Sequence, residues 1–381
     1  MQRPSWVALG TVLVAAVLWT AMAFLIVPGA RHHDFLNLYT GARLARAGQV
    51  ASLYDPATQL ATERALVPRT ATLIPFVRPH FYAAILSPLA ALEFNRAFVV
   101  WVAFQTVLLL ACWTWGWRRF GPDALVFGAL FAPAALGIAH GQDCVVFLAV
   151  VIGFYTLAER HRDSFSGAAL AFGLVKFHLF MLWPLTLTVS RRWRALAGFS
   201  VVSLALGAAS FAIGGRTGVS QYIALLQMKD IERLSPSPEK MVNIYSLLAN
   251  AGVKSDGLSF LFGTAVVLAT VAAVWRAPLW RLVAGTSCGA LLVAPHVYGY
   301  DAALLLLGVW LAIFESRDRW TRLATATAAI PIPYLIGLAG PPWSAAPALA
   351  LATFLVTLAT ENLRAYCTSR LSRRNASSAS L

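Results

Sequence analysis

The chain has 381 residues, of which 59% are hydrophobic and only 12% charged, and its mean hydropathy is +0.68. A soluble domain is about 25% charged on average, so this composition excludes a soluble globular enzyme. The net charge of +14 would suggest a nucleic-acid partner in a soluble protein. Here most arginines lie in short turns between apolar blocks, where they set membrane orientation instead. We therefore predict an all-α polytopic membrane protein without a nucleic-acid partner.

The apolar blocks have roughly the length of about 20 residues that crosses a bilayer. The first, 6–27, is too long for a signal peptide and lacks a small-x-small cleavage site, so we predict a retained helix after a cytoplasmic N-terminus. Further blocks follow at about 97–117, 122–139, 143–158, 195–214, 258–275, 279–296, 301–314, 323–339 and 343–363. These predict roughly 10 full transmembrane helices.

The turns between the blocks alternate in charge. Arginine-rich turns, which predict the cytoplasmic side, lie at 117–119, 159–162, 191–194, 276–281 and 317–322. The opposite turns at 140–143, 296–301 and 340–342 contain no Lys or Arg. Two long loops, 28–96 and 215–257, fall on the outer side. Residues 1–363 are thus predicted to form one membrane domain, followed by a basic, disordered cytoplasmic tail over 364–381.

One segment, 167–189, lies between two arginine-rich turns and is too short to cross twice. We expect a short helical hairpin whose two helices meet near 176–178, with irregular backbone lining a cavity. Lys176 is the only Lys, Arg, Asp or Glu in this segment. A buried ammonium needs a partner, and a lipid phosphate is a natural counter-ion. Snorkelling of Lys176 toward a headgroup is the alternative, in which case His178 is hydrogen-bonded filler.

Polar residues also mark the outer side. Asp34 begins the first outer loop, and a helix after it would carry apolar residues on one face and Arg43 and Arg46 on another, which predicts an amphipathic helix lying on the bilayer. Asp34 then either faces a lipid-lined cleft or only caps that helix. Asp143 and Asp301, in two outer turns, are open to the same two interpretations. Asp55, before Pro56, is interpreted as a turn residue.

Motifs for nucleotide or metal chemistry are absent from the sequence. It contains no Gly-x4-Gly-Lys-Ser/Thr loop, no strand-borne Gly-x-Gly-x-x-Gly, no His-Glu-x-x-His helix and no Asp-x-Asp pair. We therefore expect no metal, no other cofactor and no nucleotide-sugar donor. Any chemistry is expected on the outer face.

The order of several short motifs resembles glycosyltransferase family 87, whose members are integral membrane sugar transferases of the GT-C fold. The similar segments are Asp34-Phe35 with Tyr39, Leu53 to Pro56, Ser87 to Leu89, His140 to Gln142, Ser166-Gly167 before Lys176, and Ala294 to His296 with Tyr298. The chain departs from the family pattern at Asp143, where Asn is expected. It also departs at Val77-Arg78-Pro79-His80, which replaces a Tyr-Pro-Pro-like segment.

The resemblance implies a GT-C-like fold and an inverting transfer of a sugar, often mannose, from a polyprenyl-phosphate donor outside the membrane. It makes Asp34, which matches the acidic residue early in the family's first outer loop, the expected catalytic base. Three residues are expected to bind the donor phosphate: Lys176, Arg78 and His296. Further candidates for substrate contact are Tyr39, Gln142, Asp143, His178, Tyr298 and Asp301.

The acceptor implied by the resemblance is a hydroxyl of a glycan, glycolipid or protein, and the implied location is a bacterial inner membrane with both termini cytoplasmic. A different class of function fits part of the sequence. A transporter or flippase of a lipid-linked sugar or small solute would use Lys176 and Asp301 as coupling charges. An inactive scaffold that keeps the membrane fold is the third alternative.

Overall fold

A computed structural model describes residues 34–68, 70, 72–227 and 237–378, together with isolated positions between 6 and 19; of residues 369–378 only the backbone is described. The predicted first helix over 6–27 therefore lies outside the described residues except at those positions. In the described part the chain is all-helical, with 81% helix and no strands. The predicted all-α fold class is confirmed.

We number the α-helices from the first that is described continuously. Their bounds are α1 Asp34–Arg46, α2 Pro56–Leu66, α3 His80–Leu86, α4 Phe94–Phe120, α5 Asp123–Leu130, α6 Ala132–Ala139, α7 Cys144–Glu159, α8 Asp163–Ala171, α9 Phe177–Phe180, α10 Trp183–Val189, α11 Trp193–Leu226, α12 Ile244–Asn250, α13 Asp256–Val274, α14 Leu279–Val293, α15 Leu306–Glu315, α16 Arg319–Ala329, α17 Ile332–Gly337 and α18 Ala346–Ser378. Short 3-10 helices include 172–176 between α8 and α9 and 299–305 before α15.

Four helices in the described part are long and apolar enough to cross a membrane: α4, α11, α13 and the stretch 343–368 that includes most of α18. A fifth candidate is the bent pair 163–180 and 183–189. Helices of this length and hydropathy indicate a membrane protein. By helix length alone, however, the count is lower than the predicted number of about 10 spans.

Prolines explain part of this difference, because they interrupt two blocks that hydropathy treats as single helices. The predicted block 122–139 divides into α5 and α6, with Pro133 in the first turn of α6. The block 323–339 divides into α16 and α17 around Pro331 and Pro333. Proline lacks the amide hydrogen that continues a helix. Gly215, with φ +62° and ψ −171°, breaks α11 where the predicted block 195–214 ends.

The segment 163–189 forms two arms, as predicted, bent by 108°. The main bend follows Phe180, a few residues beyond the predicted position at 176–178. Lys176 itself has non-helical φ and ψ of −113° and 64°, at the junction of the 3-10 helix and α9. Gly167 of α8 faces the Ala195 carbonyl of α11 so closely that a Cβ atom would overlap it. This close backbone approach fixes the hairpin against α11.

Helix α1 exists where it was predicted, but its apolar residues pack against the protein and are not left for contact with the bilayer. Eight of its 13 residues are buried in the protein, among them Phe35, Leu38 and Leu44. Gly41 lies directly against the Phe76 ring, which leaves no room for a side chain. The small residues at 40–42 allow this packing. The distribution of apolar residues and arginines around the helix, on which the prediction rested, does not reveal it.

The segment that leads to Arg78 is held by side chains of α2. Asp55, interpreted from the sequence as a turn residue, caps this helix, with its Oδ2 accepting from the Thr58 amide at 2.8 Å. Buried Gln59 and Glu63 accept hydrogen bonds from the amides of Phe76 (2.8 Å) and Ile74 (3.2 Å). Two polar side chains of one helix thus fix the backbone immediately before Arg78.

Glu63 gives this clamp a pH dependence, because burial raises the pKa of its carboxyl to about 7, while the Ile74 amide lowers it. The folded state therefore favours the protonated acid. Its stabilising contribution is complete below the unfolded pKa of about 4.3 and is lost as pH rises through about 7. We expect the melting temperature in detergent to fall between about pH 5 and 8 partly for this reason. The melting temperature of the variant Glu63→Gln should fall less over this pH range. A fall equal to that of the wild type would contradict this role of Glu63.

His80, two residues after Arg78, is buried against α11. Its ring lies 4.7 Å from the Tyr54 ring, and its Nε2 faces Gly214 and Gly218. A Cβ atom on Gly214 would overlap the imidazole. The glycines beside the α11 break thus create the space in which the Arg78 segment is seated.

The variant Gly214→Ala is expected to displace His80 and to destabilise the fold by about 1–3 kcal/mol, the usual cost of overpacking. The measurement is thermal unfolding in detergent, and His80→Ala in the same chain should restore most of the loss. Gly207→Ala, on the same helix with nothing within 4 Å of the added atom, is the matched control. Equal melting temperatures for Gly214→Ala and Gly207→Ala would refute this packing argument.

Candidate active site

A cluster of four buried charges joins segments that are far apart in the sequence. Lys176 Nζ lies 2.6 Å from Asp301 Oδ1 and 3.1 Å from Asp143 Oδ1. Arg78 donates from Nε to Asp143 Oδ2 and from Nη2 to Asp143 Oδ1, both at 3.2 Å. All four residues are at most 7% exposed. Two cations and two carboxylates therefore neutralise each other inside the protein.

Gln142 completes the surroundings of Lys176. Its Oε1 accepts from Lys176 Nζ at 3.2 Å, and its Nε2 donates to the Tyr300 hydroxyl at 3.4 Å. With Asp143 and Asp301, this gives the ammonium three acceptors for its three hydrogens. The sequence predicted that Lys176 needs a partner and proposed a lipid phosphate. In the structure the partners are side chains of the two predicted outer turns.

The sequence left open whether Asp143 and Asp301 are site residues or only helix caps, and the structure gives a different answer for each. Asp143 precedes α7 but makes no side-chain hydrogen bond to its amides; its oxygens contact Arg78 and Lys176. Asp301 does both, since its Oδ2 accepts from the Tyr298 amide at 3.0 Å while its Oδ1 pairs with Lys176. This cap fixes the turn that holds Asp301 against the lysine.

The two departures from the family pattern pair with each other. Asp143 replaces an expected Asn, and Arg78 lies in the segment that replaces a Tyr-Pro-Pro-like sequence; the two side chains form the bidentate pair described above. An Asn at 143 would leave a buried guanidinium without a counter-ion, which is costly. Each departure therefore supplies the charge that the other requires.

Asp34, the first residue of α1, lies beside this cluster and is partly buried. Burial raises the pKa of its carboxyl above the ordinary value, and the nearby His140, Lys176 and a hydrogen bond with Gln142 oppose that rise. The structure thus brings Asp34 close to Gln142 and Lys176, as a shared site requires. A carboxylate with a raised pKa is suited to accept a proton near neutral pH.

Aromatic rings and imidazoles continue from the cluster. Ring centroids are 6.5 Å apart for His178 and His296, 5.1 Å for His296 and Tyr298, 5.9 Å for Tyr298 and Tyr300, and 5.5 Å for Tyr300 and His140. His178, His296 and Tyr298 are half-buried. The sequence singled out these three but not His140 and Tyr300. The signal that could have pointed to His140 and Tyr300 is their position in the same lysine- and arginine-free turns.

The second long loop also reaches this site. Met241 and Tyr298 form an isolated antiparallel bridge, and the Val242 amide donates to the Val297 carbonyl at 3.1 Å. Buried Asn243 donates from Nδ2 to the Ala294 carbonyl at 2.7 Å. The segment 241–243 therefore anchors the backbone that carries His296 and Tyr298.

Tyr39 is separated from the charges. Its hydroxyl donates to the Leu92 carbonyl at 2.7 Å, and its ring packs on Phe94 with centroids 5.3 Å apart. It lines a different cavity, of about 310 Å³, with Arg43 and Glu93 on the wall.

In the part of the chain described, no group of three or more His, Cys, Asp or Glu residues could hold a metal ion.

The arginine-rich turns gather away from this cluster. Arg119, near the end of α4, lies 2.9 Å from Glu159 and 3.7 Å from Glu315, the last residues of α7 and α15. Helix α7 has 16 residues and begins next to Asp143, so its two ends are about 24 Å apart. The charge cluster and this basic end therefore lie at opposite ends of α7.

Residues 76–299 match the family model of glycosyltransferase family 87, which is more than half of the chain. The matched range includes Arg78, Gln142, Asp143 and Lys176, and leaves Asp34, Tyr39 and Asp301 outside. No curated protein and no solved structure matches the chain.

Proposed function

We propose, because this chain belongs to glycosyltransferase family 87, that it transfers mannose or a related hexose from a polyprenyl-phosphate donor to a hydroxyl acceptor, with inversion. The observation that supports this most is the position of Asp34. It is a partly buried carboxylate beside a cluster that contains two cations. A proton acceptor next to positive groups is what displacement of a phosphate by an alcohol requires.

In the proposed step the Asp34 carboxylate takes the proton of the acceptor hydroxyl as its oxygen bonds to the anomeric carbon. The bond between that carbon and the phosphate oxygen breaks, and polyprenyl phosphate leaves with the electron pair. One displacement inverts the anomeric centre. Because Asp34 must be ionised, we expect the rate to fall as pH drops through its raised pKa. A pH–rate profile of kcat/KM checks this, and a profile flat on the acid side would contradict it.

The leaving phosphate would be stabilised by Arg78, Lys176 and His296. Arg78 engages Asp143 through Nε and Nη2, so its other terminal nitrogen is the one we assign to the phosphate. Lys176 already contacts three acceptors and would act through its charge. Gln142, His178 and Tyr298 would contribute to the sugar and acceptor sides, while Asp143 and Asp301 position the cations; Tyr39, which lines a different cavity, is not assigned a role in the transfer.

We further propose that the basic end is cytoplasmic, in accordance with the positive-inside rule. The charge cluster then faces the periplasm or outer side of a bacterial inner membrane, with both chain termini cytoplasmic. The fold would be GT-C-like with about 10 crossings, several of them made of two short helices in series. Such interrupted crossings are tolerated where the irregular backbone is buried in protein.

The experiment compares donors. The full chain, purified in detergent, receives radiolabelled polyprenyl-phosphate mannose or GDP-mannose, with membrane extract as acceptor. The proposal predicts labelled product from the lipid-linked donor alone, with an anomeric configuration opposite to that of the donor. Transfer from GDP-mannose, or retention of configuration, would refute it.

A second candidate, transport of a lipid-linked sugar or small solute, is favoured by one observation. The 163–189 segment is a sharply bent pair of helices, and Lys176, a few residues before the bend, forms a buried ion pair with Asp301. Transporters place binding sites near breaks of this kind. Transport predicts that the label crosses a proteoliposome membrane without a new glycosidic bond. The two readouts, product formation and translocation, separate the candidates.

A further inference from the structure

A second cavity lies at the basic end, away from the charge cluster. Its volume is about 620 Å³, within the range of ligand pockets. Three helices form it, and its lining residues are Asp123, Val126 and Phe127 of α5, Ile313 and Phe314 of α15, and Arg319, Arg322, Leu323 and Ala326 of α16. Since α15 ends at Glu315, which contacts Arg119, the cavity belongs to the end where the arginine-rich turns meet.

The charged part of the wall is positive. Arg319 and Arg322 are three residues apart on α16 and therefore share a helix face. Both are exposed, and neither forms an ion pair with any residue in the described ranges. They stand in the first turn of α16, whose amides are already capped by the Asp318 carboxylate, so the two guanidinium groups are what this turn offers to an anion. With Asp123 as the one carboxylate, the lining carries a charge of +1.

The rest of the wall is apolar and reaches the surface. Phe127 and Phe314 face each other edge to face with centroids 6.3 Å apart, and the Leu323 side chain is 57% exposed. Trp320, 54% exposed, lies under the Arg319 guanidinium at 4.9 Å from the ring centroid. Exposed tryptophan beside arginine is typical of the interface between lipid headgroups and hydrocarbon. Cations and an apolar slot thus adjoin at one surface.

We propose that this cavity binds one anionic glycerophospholipid. The phosphodiester would lie between Arg319 and Arg322, and an acyl chain would follow the apolar wall at Phe127, Phe314 and Leu323. A lipid of charge −1 neutralises the lining, and headgroup hydroxyls could donate to Asp123, whereas a zwitterionic lipid would leave the +1 in place. This site is separate from the proposed transfer reaction and does not depend on it.

Native mass spectrometry of the delipidated full chain tests the proposal, with phosphatidylglycerol and phosphatidylcholine of identical acyl chains as probes. The wild type should bind phosphatidylglycerol at least about tenfold more tightly, as expected for one or more charge-assisted contacts. The variant Arg319→Gln/Arg322→Gln should lose this preference. Arg160→Gln/Arg194→Gln, which removes two exposed arginines outside the cavity, should keep it.

A second variant tests the cavity without changing its charge. Ala326→Trp fills the space between the helices and should weaken phosphatidylglycerol binding at least about tenfold although both arginines remain. Equal affinity of the wild type for the two lipids would overturn the proposal, as would absence of any bound phospholipid. Loss of the preference in the Arg160→Gln/Arg194→Gln control would also overturn it, because the selection would then come from general surface charge.

Discussion

Replacing Lys176 with methionine is expected to lower the free energy of unfolding by about 3–5 kcal/mol, the usual cost of removing one partner of a buried ion pair. Methionine replaces the apolar stem of lysine but leaves the Asp301 carboxylate, 2.6 Å from Lys176 Nζ in the wild type, without its cation. Asp143 retains Arg78, so the loss falls mainly on Asp301. The measurement is reversible unfolding in mixed detergent micelles, followed by tryptophan fluorescence.

Two controls make this prediction specific. Lys176→Met/Asp301→Asn removes the charge left behind and should recover a large part of the stability. Arg119→Met removes a cation from the exposed pair with Glu159, whose side chains are 41% and 34% exposed, and should cost at most about 1 kcal/mol. Equal free energies of unfolding for Lys176→Met and Arg119→Met would contradict the prediction that the buried ion pair stabilises the fold more than the exposed one.

The convergence of this site was predictable from the sequence, because it follows from topology. Alternating turn charge placed the 140–143 and 296–301 turns on one side, and the lone charge of 167–189 pointed to the same region. The structure brings Gln142, Asp143, Lys176 and Asp301 into contact. Segment order and turn charge were sufficient, since helices that cross in alternation leave few places for these turns.

The pairing within the site was not predictable. Arg78 and Asp143 are 65 residues apart, and hydropathy reports how apolar a segment is but not which charges face each other. The same limit applies to α1, whose burial depends on the close contact between Gly41 and Phe76. The helix break at Pro133 does have a sequence signal, but only the structure shows that it divides a predicted crossing.

Asp34→Asn is expected to reduce the rate of sugar transfer at least ~100-fold, the size typical of general-base catalysis. The amide has nearly the same shape as the carboxyl but cannot accept the acceptor's proton. Fold and donor binding should persist, because the Lys176 cluster is paired without Asp34. The measurement is single-turnover transfer from polyprenyl-phosphate mannose, with donor affinity determined on the same preparation.

Whether Asp34 is the catalytic base is decided by single-turnover transfer measured on wild type, Asp34→Asn and Asp55→Asn side by side. Asp55 lies in the same loop and caps α2, so its variant controls for the loss of a carboxylate with only a structural role. We expect Asp55→Asn to transfer mannose at close to the wild-type rate, and Asp34→Asn to bind donor but to transfer at least ~100-fold more slowly. Transfer by Asp34→Asn at the wild-type rate would contradict this role of Asp34, because another group would then have to take the proton.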